Sequence, residues 1–264
     1  LVGVFWCLFF PVSYITSKTR RKKFRLNPDE RDKLVRYAEK TWKFFDTFVD
    51  RENNYLPCDN VSIMPSYAVA HRTSPTNIGL YLVSLLAARD FGFIDTSTLA
   101  DRLENTLNTI EKLPKFKGHL YNWYDTVECS VIGQEYISTV DSGNFIVCLV
   151  ALIEGIKEYV WEDSRLEKIA SRFKKIEEET DFRFLYDSKR SLFSIGYNTE
   201  KGERDSGYYD LYMSEMRTTD YYAVARGIVE KEHWSCLSRA LVARHFLLGS
   251  ASWSGTAFEY FMPH

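Results

Sequence analysis

Residues 118–144 read GHLYNWYDTVECSVIGQEYISTVDSGN, and the way this stretch breaks the helical pattern on either side decides the fold. It has no sustained apolar period, and a connection of this length in a compact domain is uncommon and more often functional than decorative. Its YNWYDT portion alternates flat rings with hydrogen-bonding groups. Rings suit the apolar faces of a sugar, while carboxylates and amides suit its hydroxyls. A second reading stays open beside it: Tyr121, Trp123 and Tyr124 plug a core beneath the link, as most aromatics do.

Downstream of this link, residues 144–159 form a largely apolar helix, which a turn at 162–164 joins to a charged amphipathic helix over 164–180. Upstream, Pro75 opens a helix that runs to Gly92, and a second helix spans 96–113, capped near Asp95 and ended by Pro114. The order is therefore apolar helix, short turn, charged helix, long aromatic link, and it occurs twice. That order predicts an all-α fold, an (α/α) toroid of helical hairpins of the six-hairpin barrel type, with short β-hairpins in the links. About half of such a ring is visible, so the barrel is expected to be incomplete and the chain to be cut short.

The flanks extend this frame. Asn27 is placed to cap a helix that runs to about Val49, with Pro28 in its first turn and Asp29 and Glu30 favourable near the positive end of the dipole. Leu34, Tyr37, Ala38, Trp42, Phe45 and Phe48 make its apolar face. Beyond residue 180, alternation predicts a short hairpin at 192–197, and a helix is expected around 209–226. Residues 1–16 are nearly all apolar and read as the end of a transmembrane or membrane-abutting helix, although a buried helix fits them too. The basic linker at 17–26, with Arg20, Arg21, Lys22, Lys23 and Arg25, would then lie on the cytoplasmic face. The remainder, 27–264, is one domain, the N-terminal part of the barrel.

Composition narrows the function. The 264 residues are 45% hydrophobic and carry a net charge of -2, which gives no global case for nucleic acid. The five cysteines lack metal-type spacing and read as buried thiols in a reducing compartment, and the five histidines show no ligand spacing. No metal or cofactor is expected. No Gly-rich phosphate loop or nucleophile elbow is present. What remains is carboxylate chemistry of the kind that cleaves glycosides, with two acids across a cleft. Candidates are Asp125, Asp141, Asp210, Glu215 and Glu259. Asp141 has a capping role open to it, and Asp210 and Glu215 diverge if they share one helix. Glu259, between Phe258 and Tyr260, is expected to be raised by burial or paired with a base.

Several motifs occur in collinear order: HRTSPTNIGLY at 71–81, AARDFG at 87–92, YNWYDT at 121–126, STVDSGN at 138–144, FSIGYN at 193–198, YYDLYMSE at 208–215 and WSGTAFEYFMP at 253–263. Together they resemble the central transglycosylation domain of cyclic β-1,2-glucan synthases, which is similar to the glycoamylase-like endo-β-1,2-glucanases. The resemblance implies an inner-membrane enzyme with this domain on the cytoplasmic side, between a glycosyltransferase domain and a phosphorylase-like one. It also implies a retaining transglycosylation that closes linear β-1,2-glucan into a ring. The family's acid/base and nucleophile glutamates are expected downstream of the segment matching WSGTAFEYFMP, so the catalytic pair here is unknown, with Glu215, Glu259 and Asp141 as weak candidates. The motif positions Arg72, Asn77, Trp123, Tyr124, Asp125, Asp141, Asn144, Tyr209, Asp210, Glu215, Trp253 and Glu259 are expected to line the cleft. For Arg72 and Asn77 the alternative is to fasten link to helix. The rival to an enzyme is a noncatalytic, membrane-tethered glucan-binding or scaffolding module.

Overall fold

The computed structural model describes Phe9, Pro11, Ser13, Tyr14 and residues 26–245 and 247–263. Apart from those few positions and Leu26, the membrane helix expected at 1–16 and the basic linker at 17–26 lie outside the described residues. Two compact units are present, residues 1–40 and 41–264. The first contributes the opening of α1 (Pro28–Phe48). There Glu30 N donates to Asn27 Oδ1 at 2.8 Å and Asn27 N donates back to Glu30 Oε2 at 2.9 Å. This reciprocal cap satisfies amides that the helix itself leaves without partners. Leu34 and Tyr37, counted above on an apolar face, are exposed.

The second unit holds the helical hairpins. Its helices are α2 (Pro75–Asp90), α3 (Thr96–Lys112), α4 (Thr139–Ile156), α5 (Arg165–Glu179), α6 (Arg217–Ala225), α7 (Glu232–Cys236) and α8 (Ala257–Phe261). The apolar helices α2 and α4 pack most extensively on each other, and α6 lies on the other side of α4. The amphipathic helices α3 and α5 pack against one another and behind α2 and α4. Ile78, Leu82 and Leu85 of α2 and Ile146, Leu149 and Leu152 of α4 are almost wholly buried. At roughly 1.5–3 kcal/mol for each such side chain, this seam is the main source of cohesion. The helices of the seam approach closely because small residues permit it. A Cβ on Gly79 would meet Cys148 Cβ at 3.0 Å, and one on Gly143 would meet Thr219 Oγ1 of α6 at 1.8 Å. Residues 139–159 are long and apolar enough to cross a membrane, but most of that window is buried inside the fold, as suits a core helix.

Several boundaries differ from those expected. The helix α4 starts at Thr139 rather than Asn144, since Ser138 caps it by accepting from Asp141 N at 3.3 Å. Ser, Asp, Gly and Asn are weak helix formers, and packing against α2 and α6 overrides that preference. Helix α6 begins at Arg217, not near Tyr209; residues 208–216 are irregular and bridge to Ser194 and Ser238. The hairpin expected at 192–197 is not one hairpin. Leu192–Phe193 pairs with Tyr186–Asp187, whereas Gly196–Asn198 is the middle strand between Glu203–Arg204 and Tyr136–Ser138. Alternation identifies a strand but not its partner, and here the partner lies in the first aromatic link. Another short pair joins Arg72–Thr73 to Tyr124–Asp125. The links are thus stitched to one another just before α2 and α4 begin. Of the four described cysteines, all free, only Cys58 is buried, and Cys236 is exposed.

Candidate active site

The starts of α2, α4 and α6 bring their carboxylates and hydroxyls together. Asp141 stands in the first turn of α4. Its Oδ1 accepts from Thr76 Oγ1 of α2 at 2.6 Å and its Oδ2 from Ser138 Oγ at 2.6 Å. The Asn122 amide, oriented to satisfy both neighbours, donates to the same Oδ2 at 3.2 Å and accepts from Trp123 Nε1 at 3.1 Å. Asn144 Nδ2 donates to Thr76 Oγ1 at 3.2 Å. Asp141 is therefore a tie between two inner helices and the aromatic link, and its oxygens are already engaged. The helix dipole favours a negative charge at this position.

Glu215 sits two residues before α6 and differs in kind. Among the described residues its carboxylate accepts no hydrogen bond. Burial, followed by the charges of Asp141 and Glu259, pushes its carboxyl up to about 7. Unscreened negative charge and lost hydration both favour the protonated form. Glu215 lines a pocket of about 220 Å³ together with Tyr209, Ser214, Trp253, Thr256 and Glu259. Tyr209 and Trp253 stack, with ring centroids 5.6 Å apart and planes 23° from parallel. Burial and then the Glu215 charge push the Tyr209 phenol up as well.

Glu259 reverses the expectation of a raised or base-paired acid. Burial alone would raise it, but donors from Thr256 and Ser254 outweigh that and hold it down at about 2. Its Oε1 accepts from Trp253 N at 3.1 Å, and its Oε2 accepts from Ser254 Oγ at 2.9 Å and Thr256 N at 3.0 Å. It forms a capping box with Thr256 at the start of α8. The carboxylate therefore organises the WSGT turn, which in turn places Trp253. Asp210 holds the other side of that indole, accepting from Trp253 Nε1 at 3.0 Å.

Other expected cleft residues have different places. Tyr124 is fully buried; its hydroxyl donates to Pro114 O at 2.6 Å and accepts from Tyr121 N at 2.7 Å, so it is a core plug beneath the link. Asp125 Oδ1 accepts from the backbone of Val127 and Glu128, both at 2.8 Å, closing its own turn. Arg72 and Asn77 both donate to Asp59, Arg72 Nη2 at 3.0 Å and Asn77 Nδ2 at 3.2 Å. The Arg72 guanidinium also covers the Trp123 ring at 4.6 Å from its centroid. This is the fastening role, with Trp123 half-buried at its edge. Sequence reading missed Asp59, Thr76, Ser138 and Asn122. The spacing from Ser138 to Asp141 is a helix-start signature that could have found Ser138, whereas Asp59 carries no local signal. Among the described residues no group of His, Cys, Asp and Glu is arranged to hold a metal ion.

A family described as "Protein of unknown function (DUF3131)" matches residues 36–176, over half of the chain. The chain belongs to the DUF3131 family. This DUF3131 protein is also 27% identical, over 99% of its length, to the cyclic β-(1,2)-glucan synthase NdvB of Rhizobium meliloti strain 1021. The resemblance drawn from the motifs is thus found again across nearly the whole sequence. The chain spans only 14% of the length of that relative. Among solved structures, a putative glucoamylase from Bacteroides fragilis NCTC 9343 matches with a TM-score of 0.68 at 16% identity, over 91% of this chain and 60% of its own. The endo-β-1,2-glucanase of Chitinophaga pinensis, solved with sophorotriose and glucose, matches with a TM-score of 0.68 at 14% identity, over 88% and 57%. The helical hairpin architecture of the DUF3131 chain is therefore that of glucoamylase-like proteins. Among the described residues no closed barrel is formed.

Proposed function

We propose that this chain is part of a glycoside hydrolase or transglycosylase domain that acts on linear β-1,2-glucan, with Glu215 as its proton-donating carboxyl. The observation that carries this is the contrast among the three acids. Asp141 and Glu259 spend their oxygens on hydrogen bonds that build the site, while Glu215 is free of them, faces a pocket and is held protonated near neutrality. A group that must give a proton to a leaving oxygen needs that state at working pH. The stacked Tyr209 and Trp253 beside it offer flat apolar surface to a pyranose ring. A noncatalytic glucan-binding module would have no use for a carboxyl kept protonated by burial and two neighbouring negative charges.

Glycoside cleavage needs a second carboxylate across the bond. With Asp141 and Glu259 engaged elsewhere, we assign that partner to sequence downstream of the WSGTAFEYFMP segment, and the reaction to retaining cyclisation of the glucan. The likeness to the long glucan synthase supports companion glycosyltransferase and phosphorylase-like domains in the same polypeptide. The apolar run at 1–16 with its basic flank supports a place on the cytoplasmic side of a bacterial inner membrane, which fractionation of tagged protein would test. The functional test is incubation of the purified chain with linear β-1,2-glucan, with products read by mass spectrometry. The expected outcome is glucan that is bound but uncleaved. Cyclic masses or redistributed chain lengths would place a complete pair within this chain, and absence of binding by folded protein would overturn the glucan reading.

A further inference from the structure

Residues 208–216 separate the Glu215 pocket from a second one, of about 330 Å³, lined by Tyr212, Arg217, Thr218, Tyr221, Trp234 and Pro263. Its chemistry is unlike that of the first. Arg217 is only 8% exposed, yet its Nη2 has no hydrogen-bond acceptor, and the buried Thr218 Oγ1 beside it also has none. Arg217 Nη1 reaches only Met213 Sδ, at 3.5 Å. A second guanidinium shares the same ring: Arg217 Cζ lies 5.3 Å and Arg239 Cζ 4.7 Å from the Tyr212 centroid. Arg239 spends its donors on the backbone oxygens of Leu237 and Trp234. Among the described residues neither arginine pairs with a carboxylate. Arg217 and Thr218 open α6, where Met216 gives no side-chain cap and Arg217 N donates to Ser214 O at 3.2 Å.

A buried guanidinium with an unused N–H is costly, and a second cation on the same ring adds repulsion. An anion relieves both and also suits the positive end of α6. Tyr212 and Trp234 meet edge to face at 5.4 Å and supply flat walls beside the cation. The Glu215 carboxyl is not the missing counter-charge, since the charges that act on it are those of Asp141 and Glu259 and they raise it. We propose that this second pocket binds a negatively charged sugar, its phosphate or carboxylate group held by Arg217 and Thr218 and its ring held against Tyr212 and Trp234. This assignment does not rest on the glucan reading of the Glu215 pocket, and either can fail without the other.

The test is titration of the purified chain with glucose 6-phosphate, glucuronate, glucose and inorganic phosphate at low ionic strength, followed by calorimetry and by the Trp234 indole signal in NMR. Glucose 6-phosphate and glucuronate are expected to saturate the site and glucose to leave it empty. Arg217→Met should weaken both anionic sugars at least tenfold, Arg217→Lys should restore part of the loss, and Glu215→Gln should leave binding unchanged. Should Arg217→Met fail to fold, the indole signal of the unmodified chain decides: a saturable shift supports the site and none overturns it. Unchanged affinity in a folded Arg217→Met protein also overturns it. Inorganic phosphate binding as tightly as glucose 6-phosphate overturns the sugar half and leaves a plain anion site.

Discussion

Replacing Glu215 with glutamine is expected to stabilise the protein in mildly alkaline solution and to do nothing for it in acid. Burial, then Asp141 and Glu259, carry the carboxyl from 4.5 to about 7. Between those values the folded protein holds a proton that the unfolded chain has released, so stability falls as pH rises through this window and the full penalty stands above it. At about 1.4 kcal/mol per pKa unit the ceiling is on the order of 3 kcal/mol. The pocket admits solvent, and screening reduces the expected effect to roughly 1–2 kcal/mol. Glutamine keeps the shape and discards the charge. Urea denaturation of both proteins at about pH 8 should show the variant more stable by that amount, and at about pH 4 the two curves should coincide. A variant no more stable than its parent at the higher pH would refute the reasoning, because the carboxyl would then carry no penalty and would titrate as an ordinary surface acid.

Three further outcomes follow from the packing and the loops. Gly143→Ala puts a Cβ within 1.8 Å of Thr219 Oγ1 on a neighbouring helix, and overpacking there is expected to cost about 1–3 kcal/mol in thermal or urea unfolding. Glu259→Gln keeps a capping-box oxygen but discards the charge and turns one of the two accepting oxygens toward Trp253, Ser254 and Thr256 into a donor, an effect of about 1 kcal/mol, and should shift the fluorescence of the Trp253 turn. Because Glu259 is held at about 2, its contribution is present above its unfolded value near 4.5 and is lost as pH falls through about 2, so the parent and the variant should converge in strong acid. Asp59→Asn loosens Arg72 and Asn77 together and is expected to weaken glucan binding in calorimetry several-fold while leaving the circular dichroism spectrum unchanged.

The helices that were legible are those whose signals are local. Pro75 after Ser74, Asp95 before Thr96 and Asn27 before Pro28 all sit where the described caps are, since capping is decided by a few adjacent residues. The start of α4 is not legible locally, because residues 139–144 are weak helix formers held by packing against α2 and α6. The strands were legible as alternation, but Gly196–Asn198 pairs with Tyr136–Ser138, a partner too distant in sequence for any local pattern to name. Of the residue types singled out, Tyr209, Glu215, Trp253 and Glu259 line one pocket, while their separate contacts depend on hydrogen bonds that residue type does not reveal. Glu259 and Glu215 look alike as acids beside aromatics, and only the donors around Glu259 separate a fixed carboxylate from one that burial raises. Tyr124 and Trp123 are likewise neighbours in one motif, and strand pairing with Thr73 sends Tyr124 into the core.

The most direct measurement is calorimetric titration of the folded chain with linear β-1,2-glucan, alongside β-1,4-linked glucan and the Trp253→Ala protein. Saturable binding of the β-1,2-linked chain, weakened at least tenfold by Trp253→Ala and weaker for the β-1,4-linked chain, is the expected result. No saturable binding, or equal binding by the Trp253→Ala protein, would contradict a glucan cleft built on Tyr209, Glu215 and Trp253.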